Sequence, residues 1–178
     1  NLALLRNGVV GRVLLFLGVL LGTGMTERRK TRGMIGLGAF GGFMIKHRAP
    51  YYRLVGCDRE GTGPERLSPE DAEKIRLSSP GEVAASDIVV FAVPLDNLEA
   101  AATAAARHIR PGALVVDVTS VKLRPLEILS RIIPEHADLL GTHPLFGPQS
   151  GKNGIASLRM ALCPVRIPQR RYYDVCDF

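Results

Sequence analysis

The sequence predicts an α/β fold: a doubly wound, mostly parallel sheet with helices on both faces. Two patterns predict it. From residue 31 onward, short apolar runs alternate with helical stretches in strict rotation, the signature of repeated βαβ units. The runs "DIVVFAVP" and "ALVVDV" are apolar without alternation, as strands covered on both sides require. A chain of 178 residues with 46% hydrophobic content is large enough for one such core.

The first unit is "RGMIGLGAFGGFMIKH", a brief strand, a glycine-rich turn and a helix start. Arg32 and Gly33 leave only Met34 and Ile35 apolar before the turn, which predicts a weakened or altered first strand. "YRLVGCD" is a second strand ending in an acid. "SPEDAEKI" reads as a helix with Ser68 as N-cap and Pro69 at its first position. "DIVVFAVP" is a buried strand stopped by Pro94, and "DNLEAAATAAARHI" a helix capped by Asp96 and broken at Pro111 and Gly112. "ALVVDV" is the next strand. "LRPLEILSRII" sets Leu123, Leu126, Leu129 and Ile133 on one helical stripe. "ADLLG" is a short strand leading into the loop "GTHPLFGPQSGKNG", and "RMALCPVRI" is a last strand.

The expected organisation is an apolar and basic segment over 1–30, a folded domain over 31–167 and an irregular tail over 168–178. In the first segment the uninterrupted run Val13 to Gly22 is too short to span a bilayer, and no small-x-small cleavage site follows it. It reads either as a targeting segment or, preferred, as sequence upstream of a functional start at Met25. The tail "IPQRRYYDVCDF" shows no helical period.

Charge separates in the same way. Of the net +6, residues 1–32 carry +5, so the folded part is close to neutral. With no tryptophan and no aromatics among the basic residues, nucleic-acid binding is not indicated, nor is a membrane partner. Cys57, Cys163 and Cys176 and the four histidines match no metal spacing, so no metal is expected. The odd thiol count predicts a reduced, cytoplasmic chain, or a plastid one in a eukaryote.

Gly36, Leu37, Gly38, Ala39, Phe40 and Gly41 form G-x-G-x-x-G between a strand and a helix, and Asp58 ends the second strand 20 residues past Gly38. Gly36 permits the tight turn, Gly38 lets backbone approach a diphosphate, and Gly41 lets helix and strand pack closely. The helix start supplies free N–H groups and partial positive charge. Asp58 is placed to accept from the adenosine ribose hydroxyls and to repel a 2′-phosphate, which favours NAD; Arg59 beside it keeps NADP open. Val93 and Pro94 close the neighbouring strand at the same edge. The fold expected is therefore Rossmann-like. Three later segments, "AVPLDN", "DVTSVK" and the "GTHPLFGPQSGKNG" loop, reach that edge and bring Ser120, Lys122, His143 and Gln149 towards a nicotinamide. A neutral imidazole there is suited to accepting a proton near pH 7.

"GLGAFG", "DIVVFAVPL", "DVTSVK" and "THPLFGPQSGKNG", in this order, resemble the prephenate/arogenate dehydrogenase family of tyrosine biosynthesis over residues 33 to 167. The resemblance implies an NAD(P)-dependent oxidative decarboxylation of a cyclohexadienyl acid. His143 is then the catalytic histidine, accepting a hydrogen bond from the substrate's 4-hydroxyl, and Ser120 helps hold hydroxyl and cofactor. Gln149 and Lys152 fall on the substrate loop. The "SGKNG" extension resembles the branch that includes plant arogenate dehydrogenases, but members preferring arogenate tend to carry an acid where Gln149 stands, so the neutral side chain favours prephenate over arogenate. The family's all-helical C-terminal domain, which forms the homodimer, is not recognisable in the sequence, and this predicts weak or no turnover by the chain alone. Plainer readings stand beside these: His143 as a loop histidine bonded to a carbonyl, Ser120 as a turn residue, Lys122 as an anchor for carbonyls. Two other functions also remain open, a different Rossmann oxidoreductase of the β-hydroxyacid dehydrogenase or pyrroline-5-carboxylate reductase type, and a non-catalytic NAD-sensing domain.

Overall fold

A computed structural model describes residues 14–15, 30–59 and 67–176. One sheet holds β1 (Leu14–Leu15), β2 (Thr31–Ile35), β3 (Arg53–Cys57), β4 (Ile75–Leu77), β5 (Ile88–Phe91), β6 (Leu114–Asp117), β7 (Asp138–Pro144) and β8 (Arg159–Arg166). Their spatial order is β1-β8-β7-β6-β5-β2-β3-β4. The pairs among β2 to β7 are parallel, and β8 is antiparallel to both β7 and β1. The crossovers contain α1 (Ala39–Arg48), α2 (Pro69–Ala72), α3 (Pro80–Ala84), α4 (Leu95–Ala106) and α5 (Leu123–Ile132), and α6 (Gln169–Cys176) follows β8.

Alternate residues of each strand feed opposite layers. Ile35, Val89, Phe91, Val115 and Leu139 pack with Leu98, Ala102 and Ala105 of α4 and Leu129 of α5. The small side chains of α4 let that helix sit close to the sheet. On the other face Met34, Leu54 and Val90 pack with Phe43, Met44 and Ile45 of α1. Beyond α1 the same face is an apolar groove of about 850 Å³ floored by Ile88, Val90, Leu114, Val116, Leu140 and Leu162. Tyr172 and Val175 of α6 pack along its far side.

Several elements differ from expectation. The first strand is a full five residues, paired on both sides. Gly33 is required there, because a Cβ at that position would lie 2.2 Å from the Val83 carbonyl oxygen of α3. Arg32 stacks 3.4 Å over the Tyr52 ring, and burial lowers its pKa to about 10. Ser68 does cap α2, accepting from the Asp71 N–H, but the helix ends at Ala72 and Ile75 onward is strand. A second Ser-Pro start, Ser79 and Pro80, opens α3. Asp96 is not the cap of α4: Pro94 holds that position, and Asp96 lies in the first turn, where its charge favours the helix dipole. Leu123 is exposed and the buried stripe of α5 runs through Pro125, Ile128 and Leu129.

The tail is not irregular. Gln169–Cys176 is helical, its Tyr172 and Val175 three residues apart on one apolar side, and Arg171 donates to the Gly112 carbonyl at 2.7 Å. Eight residues are too few for a period to be read. Of the 1–30 segment, Leu14 and Leu15 pair with Met160 and Arg159 of β8; Met25 and the apolar run beyond Leu15 lie outside the described residues. Among the described residues no helix is long and apolar enough to cross a membrane.

Candidate functional site

The strand order reverses between β2 and β5, and at such a switch point the carboxyl ends of the strands leave a crevice. The turn from β2 into α1 lines it. Gly36 has φ +98°, and a Cβ there would meet the Ala92 carbonyl oxygen at 2.5 Å. Its N–H donates to the Cys57 carbonyl at 2.9 Å, tying the turn to β3. Gly41 approaches more closely still: a Cβ would lie 2.1 Å from the Gly36 carbonyl oxygen, so α1 reaches this depth only without a side chain.

Gly38 is the contrast. It is the N-cap of α1 in an extended conformation, no side chain caps the helix, and nothing stands within 4 Å of where its Cβ would be. The first turn of α1 carries no acidic residue. Uncapped N–H groups, a positive helix end and open space at Gly38 together fit an anionic diphosphate. The Leu37 side chain is fully buried, leaving only its backbone to face a ligand, while Ala39 is exposed and the Phe40 ring lies 6.0 Å from Phe43. Val93 closes on the turn from β5, its Cγ1 2.9 Å from a Cβ on Gly36, and exposed Pro94 starts α4.

Asp58 reaches the same turn from the end of β3. One carboxylate oxygen accepts from the Leu37 N–H at 3.2 Å, and the other from the Arg59 N–H at 2.7 Å. Arg59 extends across the crevice and donates to Asn97 of α4 at 3.0 Å. The glycine turn, Asp58, Arg59, Val93 and Pro94 are thus brought together. Neighbouring Cys57 is buried, and its thiol is pushed up to about 11, by burial first and by the Asp58 charge second.

His143 is on β7 rather than in a loop, paired with Ala161 of β8. Strand alternation puts it on the face of Gly141, against which Leu126 of α5 packs. The half-buried imidazole has no hydrogen bond to the described residues, so the carbonyl-bonded loop histidine is not what the structure contains. Ser120 is exposed in the turn after β6, the strand parallel to β7, with Asp117 opposite Gly141. Its hydroxyl also lacks a partner among the described residues. Lys122 is an anchor: its ammonium contacts the buried Asp117 carboxylate and donates to the Thr142 carbonyl at 2.6 Å.

Gln149 and Lys152 are exposed on the following turn, and no hydrogen bond ties them to His143 or Ser120. The turn lies on α1. Phe146 approaches Phe43 at 6.2 Å between ring centroids, and Gly151 is pressed against the same ring. His47 meets Phe43 edge-on at 4.7 Å; burial, then Lys46 and Arg48, hold its pKa below the usual histidine value. The sequence reading missed Phe43, Phe146, Asp117 and Thr142. The available signal was an acid ending the apolar run "ALVVD". Among the described residues, no group of three His, Cys, Asp or Glu side chains is placed to hold a metal.

The family profile described as "Prephenate dehydrogenase, nucleotide-binding domain" matches residues 42–164. A probable arogenate/prephenate dehydrogenase of Methanocaldococcus jannaschii is 38% identical over 64 residues, 36% of this chain and 14% of the relative. Arogenate dehydrogenase 1, chloroplastic, of Arabidopsis thaliana is 43% identical over 61 residues, 34% of this chain and 10% of the relative. The solved prephenate dehydrogenase of A. aeolicus, in complex with hydroxyphenyl propionate and NAD+, shares the fold with TM-score 0.66 at 21% identity, over 85% of this chain and 56% of that one. The chain therefore spans only about half that structure and a smaller share of the curated relatives. With the profile covering more than half of its residues, this Rossmann chain belongs to the prephenate dehydrogenase nucleotide-binding domain family.

Proposed function

We propose that the chain supplies the NAD site and the proton acceptor for oxidative decarboxylation of prephenate, with arogenate the second candidate substrate. The observation carrying this reading is the unbonded imidazole of His143 at the end of β7, on the sheet edge that also holds the uncapped start of α1. When bound, the nicotinamide supplies the acceptor for the hydride that leaves ring carbon C4. His143 takes the proton of the 4-hydroxyl through a ring nitrogen as that C–H bond breaks, and Ser120 orients the hydroxyl. The C1–carboxylate bond breaks, carbon dioxide departs, and its bonding pair shifts through the ring, which becomes aromatic as the C4 oxygen takes the proton back from His143.

Neutral Gln149 offers no charge partner to the ammonium of arogenate, which favours prephenate. Because Gln149 is exposed, water can still solvate that ammonium and the preference should be modest. NADH formation with each acid in turn, by a longer chain that includes the family's helical domain, tests this; no reduction with either acid by that chain would overturn the reading. Ser120, Gln149 and Lys152 leave the chemistry side open to water, so slow turnover or none by these 178 residues is expected. The longer proteins of the family are taken to act as homodimers, in the cytoplasm or a plastid.

Asp58 makes NAD the preferred cofactor. Asp58→Ser should raise the use of NADP relative to NAD roughly tenfold or more, the effect of about 1.4 kcal/mol of removed like-charge repulsion. Binding titrations with both dinucleotides read the ratio, and an unchanged ratio would show that the carboxylate does not meet the ribose.

A further inference from the structure

We propose that Lys122 is a positioning residue, which clamps the ends of β6 and β7 so that Ser120 and His143 keep a fixed relation. The proposal rests on the reading of His143 as proton acceptor. Asp117 is 0% exposed, a carboxylate at the end of an otherwise apolar strand. Its oxygens accept from the Thr119 N–H at 3.1 Å and lie 3.0 Å from the Thr119 hydroxyl. The Lys122 ammonium supplies the compensating charge. The same ammonium donates to the Thr142 carbonyl at 2.6 Å, and the Thr142 hydroxyl donates to the Asp117 carbonyl at 2.8 Å.

The location is what separates this network from ordinary core support. The parallel ladder between β6 and β7 ends at the pair Asp117 and Gly141. Strand ends fray where backbone pairing stops. Lys122 and Thr142 carry the cross-link one residue further, to the residue immediately before His143. On the other side Lys122 closes the turn 118–122, the turn that presents Ser120. One cation therefore ties the turn that carries Ser120 to the residue before His143, with a hydrogen bond to neither side chain. A buried charge is costly to maintain unless paired, and an apolar pair of similar size would serve packing alone.

The test uses the 178-residue chain with labelled histidine, the His143 ring signals being assigned from a His143→Asn sample. Lys122→Met leaves the Asp117 charge uncompensated and should lower the unfolding midpoint. The double variant Asp117→Asn with Lys122→Met removes that charge and should recover most of the midpoint. The proposal expects its His143 signals to stay displaced or broadened. It also expects NAD affinity to be unchanged and single-turnover NADH formation from prephenate to fall roughly a hundredfold, the scale of an ångström of misplacement. Wild-type ring signals in the double variant would overturn the proposal. Should that protein not fold, Lys122→Arg, which keeps the charge but exchanges a point donor for a planar fork, gives the same readout, and unchanged signals there overturn it equally. A His143→Asn chain that still turned over would instead sink the reading of His143 and leave the clamp standing.

Discussion

A His143→Asn chain should form NADH from prephenate roughly two to four orders of magnitude more slowly than wild type, with its affinity for NAD unchanged. The size follows from the role: loss of hydride from a carbinol carbon requires the oxygen's proton to be accepted, and asparagine accepts a hydrogen bond but not a proton. Cofactor affinity should not move, because the contacts proposed for diphosphate and ribose are at the glycine turn and Asp58, which follow β2 and β3, whereas His143 is on β7. Single-turnover conditions with protein in excess keep a slow wild-type rate measurable. Intact turnover would assign the chemistry to another Rossmann oxidoreductase type. In a longer chain that includes the family's helical domain, no turnover with or without the substitution, beside tight NAD binding, would favour an NAD-sensing domain.

The second large effect separates two glycines three residues apart. Gly38→Ala should leave the unfolding midpoint nearly where it is, within about 1 kcal/mol, since the backbone is extended and no atom stands within 4 Å of the new methyl. It should nonetheless weaken NAD binding tenfold or more, roughly 1.4 kcal/mol, because that methyl would occupy the place proposed for the approach of backbone to the diphosphate. Gly41→Ala should do the reverse first. Its methyl would lie 2.1 Å from the Gly36 carbonyl oxygen, so α1 must move away from β2. Overpacking of this kind costs about 1–3 kcal/mol, and the melting temperature should fall by about 2–4 °C for each. Calorimetry and NADH fluorescence titration on the two variants read the pair. Equal losses of stability would mean that Gly38 is structural and that the turn is not a cofactor cradle.

Long-range architecture was legible in the sequence because it depends on simple repeats. "IVVF" and "LVVD" are apolar on both sides, "AAATAAA" fits a helix that lies on a sheet, and the Ser68-Pro69 pair marks a helix start. Failures came where a partner distant in the chain decides the outcome. Gly33 looked like a defect until the Val83 carbonyl of α3 was seen to fill its Cβ position. Leu123 fits a helical stripe numerically, yet it stands at the first turn, past the edge of the sheet that buries Leu129. At the site, the glycine turn and Asp58 were readable because G-x-G-x-x-G carries its mechanics in its spacing. The contact of Gly151 with Phe43 was not, since nothing local to "GPQSGKNG" reports that α1 lies beneath it.

His143 owes its aim to a two-residue rhythm rather than to a flexible connection. Lengthening the stretch between Pro144 and Arg159 by a residue leaves the imidazole where it is, because the ladder from Leu139 to Pro144 is untouched. Deleting one residue from 138–142 instead turns the ring to the opposite side of the sheet, into the groove that Leu140 now floors. An added residue downstream therefore keeps the orientation of the ring, and a lost residue upstream reverses it.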